Sequence, residues 1–236
     1  MTRRSAVLTL AGAAVTNPQQ NAPAKLRVFI VTGGHDHEPD FYSLFSDPGW
    51  KCMTDAHPFA LARDIRERFD VLVMHDMYND LDEKGRRNLQ AFVQQGRGVV
   101  VVHHALASHW QWEWWWKEVV GGRYLLKPDA GLPASTFAHD QQMTVTPVGE
   151  HAVLGGVGRM QLHDETYGGM QVLPDVTPLL RTDHPKSSPI VGWIGPCKTS
   201  RVIAIQPGHD SSTHRDPQYR RLIRNAVIWS SGRSVT

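Results

Sequence analysis

The stretch Val99-Val100-Val101-Val102-His103-His104 is the most hydrophobic strand-like run in the chain, and it ends on two imidazoles. Four β-branched residues with no polar alternation describe a strand buried on both faces, the pattern of a parallel sheet covered by helices. Two further runs read the same way. Leu26-Arg27-Val28-Phe29-Ile30-Val31-Thr32 stops at Gly33-Gly34, and Asp70-Val71-Leu72-Val73-Met74-His75-Asp76 is clearly apolar in its middle. Residues 201–206 are another strand, with weaker ones expected at 50–55, 142–148, 177–182 and 189–193.

Between the runs lie helical patterns. Residues 81–95 carry Leu81, Leu89, Phe92 and Val93 among charges and are closed by Gly96-Arg97-Gly98. Residues 110–120 read as a Trp-rich helix ending at Gly121-Gly122, and residues 217–230 place Tyr219, Leu222, Ile223, Ala226, Val227 and Trp229 at helical spacing. Short helices are expected over 41–45 and 60–69. The alternation predicts an α/β fold with a doubly wound, mostly parallel sheet and helices on both faces. No internal repeat or low-complexity linker divides residues 25–236, which read as a single domain.

Composition narrows the partners. A formal net charge of +2, with Lys and Arg scattered, offers no basic field for nucleic acid. Thirteen His and eight Trp are the unusual counts, and they point to a polar site and to a packed core or a ring-binding cleft. Two cysteines, Cys52 and Cys197, are too few for a disulfide framework and have no C-x-x-C spacing; they read as unpaired thiols, with one bridge open as the alternative. At the N-terminus, Arg3-Arg4 precedes a short apolar run (residues 6–15) and a polar break, the parts of an export leader with a twin-arginine look. Residues 1–24 are therefore expected to be a leader, with a periplasmic or extracellular destination; a cytosolic leader is the other reading. The run is too short to span a bilayer, so no stable membrane insertion is expected.

In parallel α/β sheets the site lies beyond the carboxyl ends of the strands. Three such ends here carry histidine: His35-Asp36-His37, His103-His104 and His209-Asp210. These pieces, in order with Thr32-Gly33-Gly34-His35, the Trp-rich segment into Gly121-Gly122, Asp164-Glu165-Thr166-Tyr167, Gly208-His209 and Asp216-Pro217-Gln218-Tyr219, resemble the ThuA-like (trehalose utilisation) family. They cover most of residues 26–233. The resemblance implies a flavodoxin-like sheet of the class I glutamine amidotransferase-like kind and a place in sugar catabolism. It places His209 where amidotransferase-type enzymes carry their catalytic histidine. Two departures matter. The amidotransferase nucleophile is a cysteine at the turn after the central strand, where this chain has His103-His104, so thiolate chemistry on glutamine is disfavoured. Relatives also place a His shortly after the Gly-Gly, where Arg123-Tyr124-Leu125-Leu126 follows here.

The expected catalytic groups are His104, Glu165 and His209. His104 sits on a rigid strand end, and in an extended segment His103 would point the opposite way and be structural. Asp164 and Glu165 diverge on a strand, with Glu165 the better pocket carboxylate; Asp210 or Glu165 could orient His209, and His214 is a weaker candidate behind it. Substrate contacts are expected from His35, His37, Trp110, Asp164, Tyr167 and Asp210. Trp112 could line the cleft with Trp110 and stack on a sugar face; the other tryptophans of the 110–116 segment read mainly as core. No cofactor is identified; a divalent metal on His35, His37 and Glu165 is one reading of that histidine loop, hydrogen bonding to a sugar the other. No G-x-G-x-x-G, P-loop or G-x-S-x-G pattern is present. The leading expectation is an enzyme doing His/Glu acid–base chemistry on a keto-glycoside or disaccharide-derived intermediate, as a lyase, isomerase or hydrolase. A non-catalytic carbohydrate-binding protein and a metal-dependent hydrolase are the alternatives, and a homo-oligomer is left open.

Overall fold

The apolar runs pair into one sheet in the computed structural model of the chain, which describes residues 24–235. Its first half is parallel: β1 (Leu26–Thr32), β2 (Trp50–Ala56), β3 (Val71–Met74), and after helix α1 (Glu83–Gln94) the all-buried β4 (Gly98–Val102). A short β5 (Gly122–Arg123) pairs with β8 (Gln171–Val172) as a separate two-stranded sheet. Between them run the long β6 (Thr136–Pro147) and β7 (Met160–Gly168). β9 (Thr177–Arg181), β10 (Ile190–Ile194) and β11 (Val202–Ile205) follow, then α2 (Ser211–Arg215) and α3 (Pro217–Ser230). The nine-stranded order is β2-β1-β3-β4-β11-β10-β9-β6-β7.

Strands β2 to β11 in that order are parallel, and every pairing beyond β11 is antiparallel. Five of the nine strands run parallel, as expected, and the antiparallel remainder makes the sheet as a whole mixed. The sequence signal came from the parallel half, whose runs are continuously apolar. In the antiparallel half β6 and β7 alternate polar and apolar residues only in part and β9 and β10 are short, so it leaves a weaker trace.

Successive residues of the central strands serve two cores. Val28, Ile30, Val100, Val102 and Ile203 pack on one face with Tyr219, Leu222 and Ile223 of α3. Phe29, Val31, Val99, Val101 and Val202 pack on the other with Leu89 and Phe92 of α1 and with Trp115. Each fully buried valine contributes roughly 1.5–3 kcal/mol by this burial. Helix α3 starts at Asp216, whose side chain accepts from the Gln218 and Tyr219 N–H groups, with Pro217 in the first turn. Its far end reaches β4 so closely that a Cβ at Gly98 would lie 2.2 Å from the Ser230 carbonyl oxygen.

Three expected helices change form. Residues 60–69 make isolated turns, because Asp64 accepts from the Arg66 N–H and competes with a helical ladder. The 41–45 helix is a 3-10 helix spanning Pro39–Phe45. The Trp-rich helix is confined to a wide π turn, Trp114–Val120, ended by left-handed Gly121. The expected leader, Ala24 apart, lies outside the described residues. Among the described residues no helix is long and apolar enough to cross a membrane. Cys52 and Cys197 are both free.

Candidate functional site

Histidine-bearing loops from four parallel strands converge above the carboxyl edge of the sheet. Gly34 after β1 has φ +78, and a Cβ there would sit 2.1 Å from the Met77 carbonyl, so only glycine lets this loop lie against the loop after β3. That contact brings His35 over His104, with ring centroids 4.1 Å apart. After β4 the chain does not stay extended. His103 takes φ +49 at the start of the 3-10 turn His103–Ala107, so the alternation of a strand fails there.

This corrects the reading of His103 as a structural residue pointing away. Its ring is buried at the centre of the site, 4.5 Å from that of His104. The Nδ1–H donates to the Gln206 carbonyl at 2.6 Å, while Nε2 lies 2.8 Å from Glu165 Oε2 and 2.9 Å from the Tyr167 hydroxyl. Nε2 and the Glu165 carboxylate are thus in direct hydrogen-bond contact, close enough for a proton to pass between them. Burial pushes the Glu165 carboxyl up, but the His103 hydrogen bond and the imidazoles of His103, His209 and His139 outweigh it and hold the group below its ordinary value. Burial, reinforced by Glu165, keeps the Tyr167 hydroxyl protonated well above its usual range.

His139 was not legible as a site residue. It stands in a bulge of β6, where the pairing jumps from Ala138↔Thr166 to Gln141↔Asp164 and Asp140 takes φ +55. The bulge turns Nδ1 of His139 to within 3.2 Å of Glu165 Oε1. His209 completes the cluster. Its ring lies 5.2 Å from that of His139 and 5.4 Å from that of His104, and its Nδ1 is 3.2 Å from Asp210 Oδ1.

The loop carrying His209 is pinned from both sides. Asp164, fully buried, accepts from four backbone N–H groups: Gly208 at 2.7 Å, His209 and Glu165 at 2.9 Å, and Asp210 at 3.1 Å. Burial pushes its pKa up, yet an acceptor-only set of contacts suits the carboxylate form at neutral pH. Opposite it, His75 and His214 each donate Nε2–H to the Gly208 carbonyl, at 3.0 and 2.8 Å. Asp164 is thus corrected from a substrate contact to a loop anchor.

The open space is a pocket of about 200 Å³. His104, Glu165 and Tyr167 form its floor, Tyr124 and Met77 its walls, and His35, His139 and Phe137 its rim. Larger surface hollows occur elsewhere. The one of about 650 Å³ beside Trp50 contains Arg220, Arg221 and Arg224, each already bonded to Ser43, Gly156 or Asp47, and no histidine.

Besides Asp164, three expected contacts lie outside the pocket lining: Asp210, which meets His209 Nδ1, Trp110 and His37. Trp110 is buried beside the guanidinium of Arg123, which donates to its carbonyl and to Asp129 and Gln171. The same guanidinium lies 3.9 Å from the Trp116 ring centroid, and Tyr124, next in sequence, is the residue that reaches the pocket. His37 bonds the Tyr42 hydroxyl at 3.0 Å behind His35. The metal candidates change as well. Glu165 belongs to two donor sets that an ion could bridge, His139–Glu165–His209 and His103–His104–Glu165, whereas His35 and His37 belong to none among the described residues.

His104 is the least satisfied group of the floor. Both ring nitrogens are buried without a protein partner. Burial, with the imidazoles of His103, His75, His35 and His209 around it, drives its pKa far below the ordinary value, and His75 is lowered in the same way. These rings are neutral when folded, whereas the unfolded chain protonates near ~6.5. Between those limits the unfolded state binds more protons, so the stability contributed by neutral rings is complete above ~6.5 and lost as pH falls below it. Urea unfolding midpoints are expected to drop progressively from pH 7.5 to pH 5; a flat profile would contradict the burial of neutral rings.

The trehalose utilisation (ThuA) family matches residues 27–230. The chain belongs to this family. Its fold is shared with a protein from Parabacteroides merdae described as ThuA-like, at TM-score 0.75 and 14% identity over 90% of this chain and 92% of that one. A second ThuA-like protein, from Bacteroides uniformis, aligns at TM-score 0.68 and 18% identity over 91% and 95% of the two chains. A Salmonella typhimurium protein described as cytoplasmic aligns at TM-score 0.62 and 11% identity, covering 87% of this chain and 99% of that one. At such identities these ThuA-like neighbours carry the fold alone. No curated protein matches the chain.

Proposed function

We propose that this ThuA-family chain is a sugar-processing enzyme acting on a keto-glycoside or a disaccharide-derived keto intermediate by proton transfer beside the carbonyl. The family's description suggests a sugar-related role, and the pocket has room for a single sugar ring. The observation that carries the reading is Glu165, an ionised carboxylate held between His103 and His139 directly beside His104.

A carbonyl acidifies the C–H next to it. Glu165 removes that proton, the C–H electrons form the C=C of an enolate, and the proton is shared with His103. His104 is too weak a base to compete, so its role shifts from the proton carrier expected of it to a neutral N–H donor on the enolate oxygen. His209, oriented through Nδ1 by Asp210, returns a proton. Delivery to carbon gives isomerisation, and delivery to a departing glycosidic oxygen breaks the C–O bond and gives elimination. Neither step requires a covalent nucleophile, and the pocket lining contains neither Cys nor Ser.

The test is turnover of a 3-keto-disaccharide by the parent protein and by the His104→Ala and His209→Ala variants, with losses of ~10²–10⁴-fold expected. Unchanged turnover in both variants, or saturable binding without product by the parent, would defeat the proposal; the second result would favour a carbohydrate-binding protein. The His139–Glu165–His209 donor set supports a second reading, metal-dependent hydrolysis, which requires an ion whose removal abolishes turnover and whose binding is lost in His209→Ala.

A further inference from the structure

A second polar cluster, apart from the pocket, lies beneath the loops that follow β2, β3 and β4. His57 comes directly after β2, Asp76 two residues after β3, and His109 two residues after the 3-10 turn His103–Ala107. The side chains of His57 and Asp76 have no exposed surface, and His109 is 4% exposed. Both ring nitrogens of His57, Oδ1 of Asp76 and Nε2 of His109 are buried without a hydrogen-bond partner. Orphaned atoms of this kind are rare and costly, and here they converge, with one donor atom from each residue lying within 4.8 Å of the others.

We propose that His57, Asp76 and His109 form a structural binding site for a divalent transition-metal ion, zinc first among them. An ion pair alone does not explain the arrangement. His57 Nε2 lies 3.3 Å from Asp76 Oδ2 without hydrogen-bond geometry, and His109 Nε2 would still lack a partner. The separation does fit two ligands on one ion, since a tetrahedron with metal–ligand bonds of ~2.0 Å has edges of roughly 3.3 Å. Two imidazoles and a carboxylate are a donor set that zinc accepts.

The surroundings hold the donors in place. The His57 ring stacks on Tyr78 at 4.3 Å and 6°, and the His109 ring meets the edges of Trp112 and Trp115. Ser108 donates to Asp76 Oδ2 at 2.8 Å, the outer-shell bond expected of a ligating carboxylate. Three protein donors leave one tetrahedral position open, but the burial of all three keeps a substrate from reaching it, so the ion would hold the loops together. Such an ion would tie three strand-end loops together immediately below the pocket. Asp76 is flanked by His75, which holds the Gly208 carbonyl, and by Met77, which lines the pocket wall.

The test is elemental analysis of the full-length protein purified without chelator, alongside His57→Ala, His109→Ala, Glu165→Gln and His209→Ala. One equivalent of metal is expected in the parent and in both pocket variants, and loss of that equivalent in His57→Ala and His109→Ala. Should those two variants fail to fold, the parent is to be stripped with chelator and titrated with zinc. A fall in melting temperature on stripping, its recovery with zinc in the parent and in Glu165→Gln and His209→Ala alike, and a tetrahedral Co(II) spectrum after cobalt loading would support the site. A parent protein with no metal and no thermal response to zinc would overturn it. Metal lost in Glu165→Gln and His209→Ala but kept in the His57 and His109 variants would also overturn it, by placing the ion in the pocket.

Discussion

Replacing Glu165 by glutamine is expected to lower kcat/KM on a keto sugar by ~10²–10⁴-fold while leaving the protein folded. Glutamine has nearly the same shape and keeps a carbonyl oxygen that can accept from His103 Nε2, so the floor of the pocket persists. What disappears is a group able to take a proton and share it across the 2.8 Å contact with His103. The drop should therefore fall mainly on kcat, with binding of the sugar retained. Steady-state kinetics at fixed pH, checked against an unchanged unfolding midpoint, provide the measurement. A variant that keeps its kcat would remove Glu165 from the chemistry and return attention to His104 and His209 alone.

The largest loss of stability is expected from Asp164→Ala. The substitution strands four N–H groups, of Gly208, His209, Asp210 and Glu165, those of Gly208 and Glu165 in fully buried bonds and the other two half-buried. At ~1–3 kcal/mol for each unsatisfied group, a total of at least ~3 kcal/mol is expected. For a chain of this size that corresponds to a fall in melting temperature on the order of 10 °C. Asp164→Asn should recover part of it, because an amide oxygen at the Oδ1 position still accepts from Glu165, His209 and Asp210 and the NH2 faces only the Gly208 N–H. Urea denaturation of both variants decides the point. A midpoint within about 1 kcal/mol of the parent would mean the loop after β11 is held by His75 and His214 without the carboxylate.

These two acids show how far the sequence could be read. Their adjacency on a strand implied that one faced the pocket and one did not, and Glu165 was the better guess. Nothing local, however, indicated that Asp164 would meet the 208–210 loop, more than forty residues downstream. The strand-end rule brought His35, His104 and His209 to one edge of the sheet because continuous apolar runs announce their own ends. It applied equally to His75, which ends the third such run, but that residue went unused. His103 was misplaced because the rule of alternating faces presumes an extended chain, and the left-handed turn begins on that residue. His139 was invisible for a related reason. A bulge inside a half-polar antiparallel strand leaves no periodic mark, and only the paired register shows it. Trp110 looked like a sugar-stacking platform because the Arg123 packed beside it could not be seen as buried. Strands were expected over 142–148, 177–182 and 189–193, but nothing in those short runs told that they pair antiparallel, so the topology was legible mainly over the parallel strands.

The most direct measurement is proton exchange at the carbon beside the carbonyl. A 3-keto-glycoside incubated in D2O with catalytic amounts of protein and followed by NMR should lose the α-proton signal faster than the protein-free control. The exchange should vanish with Glu165→Gln. A sugar that binds saturably while retaining that proton at the background rate would contradict proton transfer as the work of this pocket.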